Sequence, residues 1–190
     1  RTVKWNMPQN LFLAPCSNEH AQAHFSNTVL EGVTVEEYRD LIPAGYTGNT
    51  PIWGTGEGNE SAVKQMKPGD IVLFYVGDKL YSHMATVAGT QRNEELDSAL
   101  WTPYSNRLKE DERDTWPWII YLDDVTPVNI NSSELHENLG YAQDYILGFQ
   151  RVSDDRLGAY DSIDKLIESV SSTYTVPSET YESILLILFL

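Results

Sequence analysis

Short apolar runs along the chain predict a β-sheet with a hairpin at its centre. The run at residues 10–14 predicts a buried first strand that is followed by a polar turn. The apolar and aromatic run at residues 71–76 predicts the central strand, and Gly77-Asp78 predicts a hairpin turn into a partner strand over residues 79–87. Further strands are predicted at residues 118–122 and 125–130.

Capping residues and helical spacing predict short helices around this sheet. Residues 33–42, with Thr34 as a cap and Pro43 as a stop, predict one short helix. Further helices are predicted at residues 60–66, 135–145 and 162–169.

Two polar segments predict loops. The charged segment at residues 90–115 is too long for a tight turn, and long loops in compact domains tend to carry function. Residues 171–190 begin with a Ser/Thr-rich stretch that is typical of a linker. We therefore expect one α+β domain over residues 1–170 and a linker-like segment after it.

The charge balance is strongly acidic. The chain has 28 Asp and Glu against 13 Lys and Arg, which gives a formal net charge of -15. Such a surface repels phosphate, which argues against a nucleic-acid partner in dilute buffer. Acidic proteins also suit a salt-rich cytoplasm, where the Debye length falls to about 3 Å at 1 M salt. We therefore expect a cytoplasmic protein of a halophilic archaeon, and we expect no membrane span, since no apolar stretch approaches about 20 residues.

The residues of common catalytic and metal sites are not found in their usual patterns. Cys16 is the single cysteine, which excludes an intramolecular disulfide and a multi-cysteine metal site. His20 and His24 are spaced to share a helix face, but the sequence offers no evident third ligand. The glycines at 54–58 lack the Gly-Lys-Ser/Thr ending of a phosphate loop. We therefore expect a binding domain without a metal or cofactor, and any nuclease activity in a separate domain or subunit.

One tryptophan lies in an unusual setting. Trp53 is followed by Gly54, Gly56 and Gly58, which provide little packing and raise the entropy of the chain. This pattern predicts that Trp53 lies on a flexible loop and that its indole is open to receive a flat ring. The alternative is a tryptophan that closes the hydrophobic core.

Several segments around Trp53 occur in a characteristic order. They are the polar turn at residues 16–20, Trp53-Gly54-Thr55, Asn59-Glu60, Lys67-Pro68-Gly69-Asp70 and residues 71–75. This order resembles the PUA-like superfamily of modified-base readers, which includes EVE and YTH domains and the EVE-like modules of McrB-type and HNH-type modification-dependent restriction systems. Residues 116–121, 139–141 and 147–152 are similar to the restriction-associated relatives. The resemblance spans roughly residues 10–170 and implies a bent mixed β-sheet or partial barrel with flanking helices.

The resemblance implies recognition of a methylated or hydroxymethylated base in DNA. The base would be flipped into an aromatic cage, and the domain would target a restriction nuclease or motor. The implied cage walls are Trp53 and Trp101, with Tyr104 as a third, and the base would be contacted by Cys16, Ser17, Asn18 and Asn59. Two alternatives are a YTH-like reader of N6-methyladenine RNA, and a PUA-like module that binds a small molecule or a protein.

Cations near the long loop are candidates for phosphate contacts. They are Arg92, Arg107, Lys109 and Arg113. The alternative is a charge-balanced, solvated loop in which these cations face Glu94, Glu95 and Asp111.

Overall fold

A computed structural model describes residues 9–105 and 115–171, with the last four residues of the first range described for their backbone only. The strands are β1 (Leu11–Pro15), β2 (Val33–Thr34), β3 (Asn49–Thr50), β4 (Ile52–Thr55), β5 (Ile71–Gly77), β6 (Leu80–Arg92), β7 (Trp118–Asn131) and β8 (Gln150–Arg151). The α-helices are α1 (Glu19–His24), α2 (Glu60–Val63), α3 (Glu94–Ser105), α4 (Ser132–Asn138), α5 (Asp154–Leu157) and α6 (Ile163–Val170). A π-helix follows α1 at Phe25–Leu30, and two 3-10 helices lie at Val35–Tyr38 and Glu57–Asn59.

A mixed six-stranded sheet in the order β4-β7-β6-β5-β1-β8 curls into a half-barrel, and helices flank it. Strands β5, β6 and β7 form an antiparallel meander, whereas β1 pairs with β5 in parallel. Register shifts interrupt the pairing of β6 with β7 at three places. Such irregularities increase local twist and bending, which accounts for the curvature of the two longest strands. The predicted α+β class and the bent mixed sheet are confirmed.

The central strands are buried on both faces, which explains their continuous apolar sequence. On one face Phe12 and Phe74 pack with Phe25 of the π-helix and with Trp53. The intervening side chains of the same strands point to the other face, where they pack with α4 and α6. A third apolar cluster joins α3 to β4 and β7.

The prediction of a long loop at residues 90–115 is wrong for the residues of this segment that the structure describes. Strand β6 continues to Arg92, and α3 follows. The side-chain oxygen of Asn93 accepts a hydrogen bond from the Leu96 backbone amide at 2.9 Å, and three acidic residues occupy the first turn of α3. Both features stabilise a helix N-terminus. The polar sequence therefore marks a helix start, and Leu96, Leu100 and Trp101 form its buried stripe.

Three other predictions need correction. Residues 33–42 contain β2 and a 3-10 turn instead of an α-helix, because Val33 and Thr34 pair with β3. The helix predicted at 135–145 ends at Asn138, and Gly140 has a positive φ of 69° that terminates it. Trp53 lies in β4, which is paired to β7, and not on a flexible loop.

Candidate functional site

A pocket of about 300 Å³ opens beside Trp53. It is lined by four separate parts of the chain, at residues 15–21, 53–59, 115–116 and 147–149. Strand β4 lines the pocket, and successive side chains of this strand point to opposite faces of the sheet. Trp53 belongs to the apolar cluster on the pocket side of the strand, whereas Ile52 belongs to the cluster around Trp101 on the opposite side.

Two indole rings form the aromatic wall of this pocket. The ring centroids of Trp53 and Trp116 are 5.6 Å apart, with an angle of 42° between the planes. Trp53 is 3% exposed, and it contacts Phe25 and Phe74 edge to face at 6.4 and 5.6 Å. Trp53 therefore closes the hydrophobic core, as the alternative interpretation has it, and it also lines the pocket.

Helix α3 and α1 hold Trp116 from behind. Asp97 of α3 accepts a hydrogen bond from the backbone N–H of Trp116, while burial raises the pKa of this carboxyl. The ring of His24 contacts Trp116 edge to face, with the centroids 4.7 Å apart. Burial, with a smaller effect of His20, lowers the pKa of His24 to about 4, so this imidazole is neutral at neutral pH. The Asp97 carboxyl thus holds the backbone of Trp116, and the neutral imidazole of His24 packs against its ring.

Polar groups lie beside the aromatic wall. The Asn59 side-chain amide donates to the Thr55 hydroxyl at 2.6 Å, and both residues line the pocket. Asn18 also lines the pocket, and its side-chain oxygen caps α1 by accepting from the Ala21 backbone amide at 2.8 Å. An amide carries both donors and acceptors, which is the chemistry needed to read the edge of a flat heterocycle.

The structure brings together three of the predicted base-binding residues, namely Trp53, Asn18 and Asn59. Ser17 is exposed next to them, outside the pocket lining. Cys16 is fully buried in the core, and burial raises the pKa of its thiol to about 12. Its backbone amide donates to the Tyr75 carbonyl at 2.8 Å, which holds the end of β1 against β5.

Trp101 lies on the other side of β4 and is outside the pocket lining. Its ring covers Gly54 so closely that a Cβ built on this glycine would stand 2.2 Å from the indole. Trp101 is 4% exposed, and its Nε1 has no acceptor among the residues that are described. It supports the strand that carries Trp53.

Of the predicted phosphate contacts, the structure describes Arg92. Its guanidinium forms ion pairs with Glu57 and Glu94. Arg107, Lys109, Arg113 and the side chain of Tyr104 lie outside the described part of the chain. For His20 and His24, the described residues contain no group of three potential ligands that could hold a metal ion. No helix within residues 9–105 and 115–171 is long and apolar enough to cross a membrane.

The sequence assigned no role in the pocket to Trp116, Thr55 or the segment 147–149. Trp116 directly precedes a proline and a buried strand. Because proline is tolerated at the start of a strand, the sequence indicates that Trp116 lies where the chain enters this strand. The segment 147–149 contains an exposed leucine beside a glycine. Its position next to β4 is evident from the three-dimensional structure and has no signal in the local sequence.

Comparison with known proteins gives a match in structure alone. No protein-family model and no curated protein matches the chain. The N-terminal domain of Thermococcus gammatolerans McrB, solved bound to m5C DNA, is similar with a TM-score of 0.60 and 20% identity, over 80% of this chain and 96% of that chain. This likeness confirms the PUA-like fold.

Two further solved structures are similar at lower scores. A variant of the Zymomonas mobilis ASCH protein has a TM-score of 0.49 and 14% identity, over 87% of this chain and 100% of that chain. A Zygosaccharomyces rouxii YTH domain in complex with N6-methyladenosine RNA has a TM-score of 0.48 and 14% identity, over 89% of this chain and 95% of that chain.

Proposed function

We propose that the domain reads a methylated or hydroxymethylated base in DNA, with the flipped base held in the pocket against the wall that Trp53 and Trp116 form. The observation that carries this proposal is the pocket of about 300 Å³, which has an indole wall and two amide side chains beside it. This volume is at the lower end of small-molecule pockets, so it suits one flat ring. The PUA-like fold, shared with a domain solved on m5C DNA, supports the choice of ligand.

The energetics require a shaped pocket. Extruding a base costs a few kcal/mol, and stacking on aromatic faces returns roughly 1–3 kcal/mol. One buried methyl group adds only about 0.8 kcal/mol by transfer. Discrimination therefore depends on how the rigid wall of Trp53 and Trp116 fits the modified base, and on whether Asn18 and Asn59 satisfy its polar edge.

The proposal also includes a role for the domain in directing a partner to modified DNA. In our proposal the domain performs no catalysis, and it directs a nuclease or motor that lies in another domain or subunit. Residues 171–190 would connect the reader at residues 1–170 to such a partner. Arg107, Lys109 and Arg113 would contact phosphates, and Arg92 would join them by exchanging its carboxylate partners for phosphate.

A binding panel tests the proposal. The probes are duplexes of one sequence with a central 5-methylcytosine, 5-hydroxymethylcytosine, N6-methyladenine or unmodified base, measured in a salt series. Trp116→Ala and Trp53→Phe alter the wall, and Trp118→Phe is the matched control because this buried tryptophan lies outside the pocket lining. We expect wild type and the control to prefer one modified duplex, and Trp116→Ala to lose about tenfold or more of that preference, since stacking contributes roughly 1–3 kcal/mol. Equal affinity of wild type for all duplexes would overturn the proposal.

A second candidate is a module that binds a free heterocyclic ligand or a protein. It is favoured by the net charge of -15 and by the two carboxylates that already pair with Arg92. Failure to bind any oligonucleotide in the salt series, together with saturable binding of a free modified nucleobase, would establish this candidate instead. Repeating the panel with RNA strands of the same sequence distinguishes a YTH-like RNA reader.

A further inference from the structure

Leu147 lies in an unusual place for an apolar side chain. It is 84% exposed, while the other exposed large apolar side chains among the described residues, Leu30 and Tyr145, are 46% and 41% exposed. Single exposed leucines are common on protein surfaces and need no explanation. Leu147 differs because it also lines the mouth of the pocket that contains Trp53 and Trp116.

The chain holds Leu147 in this position from both sides. Ile146 is 6% exposed and packs in the core on one side of the sheet. Phe149 is 6% exposed and stacks on Phe12, with the ring centroids 5.8 Å apart and 13° between the planes. Two consecutive exposed residues, Leu147 and Gly148, therefore project between fixed neighbours.

The preceding part of the loop is also anchored. The carboxylate of Asp144 pairs with the Lys79 ammonium at 2.8 Å and accepts from the Ser133 hydroxyl at 3.1 Å. The imidazole of His136 contacts the Gln143 carbonyl at 2.6 Å. Leu147 is thus presented on a segment whose position is set before any ligand binds.

We propose that Leu147 enters the base stack of the duplex and fills the space that the flipped base leaves. This inference rests on the proposed function and names a further residue for it. A flipped base leaves a gap between two flat, apolar base faces, and apolar side chains such as leucine are used by other DNA-binding proteins to occupy separated base steps. An uncharged side chain adds nothing to the repulsion that the acidic surface exerts on phosphates.

The neighbouring glycine makes the approach possible. A Cβ built on Gly148 would have no heavy atom within 4 Å, so the space beside Leu147 is open. A backbone without a side chain at this point can come close to the sugar-phosphate chain that flanks the gap.

The experiment compares a duplex with a single strand. The first probe is the modified duplex that wild type prefers, with 5-methylcytosine, 5-hydroxymethylcytosine or N6-methyladenine. The second probe is the modified strand of that duplex alone. In the single strand the base needs no extrusion and leaves no gap. We expect Leu147→Ala to bind the duplex about tenfold more weakly, which equals about 1.4 kcal/mol, and to bind the single strand like wild type. Leu147→Met, which keeps an apolar side chain of similar volume, should retain the duplex affinity.

Leu30→Ala is the matched control, because Leu30 is an exposed leucine outside the pocket lining. It should bind both probes like wild type, and a melting curve for each variant shows that the fold is intact. If wild type prefers the modified duplex and Leu147→Ala binds it equally well, or loses the same factor on the single strand, the role of Leu147 is wrong and the proposed function stands. If wild type has no preference for any modified duplex, the proposed function fails and the role of Leu147 fails with it.

Discussion

Substituting Gly54 by alanine tests how β4 positions the pocket wall. A Cβ at this position would lie 2.2 Å from Cη2, 2.5 Å from Cζ3 and 3.0 Å from Cζ2 of the Trp101 indole. Carbon atoms in van der Waals contact are about 3.5–4.0 Å apart. Either the indole or the strand must therefore move by about 1 Å or more.

Neither group has room to move freely. Trp101 is 4% exposed and contacts His24 and Trp116 edge to face, at 5.8 and 5.7 Å. Gly54 is in register with Ile119 of β7. Overpacking of a filled core costs about 1–3 kcal/mol, and we expect a loss at the upper end of this range for Gly54→Ala. Because Trp53 precedes Gly54 in the same strand, the shift should also weaken the preference for the modified duplex.

Urea unfolding followed by far-UV circular dichroism measures the loss of stability, and Gly58→Ala is the control. A Cβ on Gly58 meets no atom within 4 Å, so this variant should lie within about 0.5 kcal/mol of wild type. In the Gly54→Ala background, Trp101→Leu should cost less than it does in wild type, since it removes the clash. A Gly54→Ala protein as stable as Gly58→Ala would refute the assignment of Trp101 as the support of β4.

Three further predictions concern stability and binding. The pKa of His24 is about 4 in the folded protein against an ordinary value of 6.5, so the contribution of the neutral imidazole to the free energy of unfolding is complete above pH 6.5 and is lost as the pH falls toward 4. Urea unfolding at a series of pH values should show a loss of at most about 3 kcal/mol over this range, and the loss should be absent in His24→Gln. Asp70 is fully buried and accepts from the backbone and side chain of Asn10 and from the backbone of Lys67, so Asp70→Ala should lose about 3 kcal/mol, and a value below 1 kcal/mol would contradict this account. Asn59→Ala should bind the preferred modified duplex about tenfold more weakly while its urea midpoint stays near that of wild type, and an unchanged affinity would remove Asn59 from the site.

Local patterns in the sequence predict the centre of the sheet well. The apolar run of β5 and the turn at Gly77 have strong local signals, because a strand buried on both faces needs continuous apolar residues and the hairpin needs a residue with positive φ. The resemblance around Trp53 predicts the PUA-like fold, and the structural comparison confirms it.

Other features depend on contacts between distant parts of the chain. Helix α3 escapes prediction because its acidic first turn is typical of both a helix start and a solvated loop. The strand position of Trp53 depends on its pairing with Ile120, and the glycine after it is required by Trp101, which lies far away in sequence. Trp116 enters the pocket for the same reason, since Asp97 and His24 hold it there.

The parallel pairing of β1 with β5 has a kinetic consequence. Residues of β1 meet partners about 60 positions later, as in Leu11 with Ile71, while β5 and β6 are joined by a tight turn. Closing a short loop loses less chain entropy than closing a long one, so we expect the meander to form early and β1 to dock afterwards. The pocket takes residues from positions 15 to 149, so its completion would coincide with the last stage of folding. The Val87 backbone amide donates to the Asp70 carbonyl within the meander, and the Cys16 amide donates to the Tyr75 carbonyl across the pairing of β1 with β5. Amide hydrogen exchange during refolding should therefore protect Val87 before Cys16, and the recognition surface would become competent only when the whole domain has assembled.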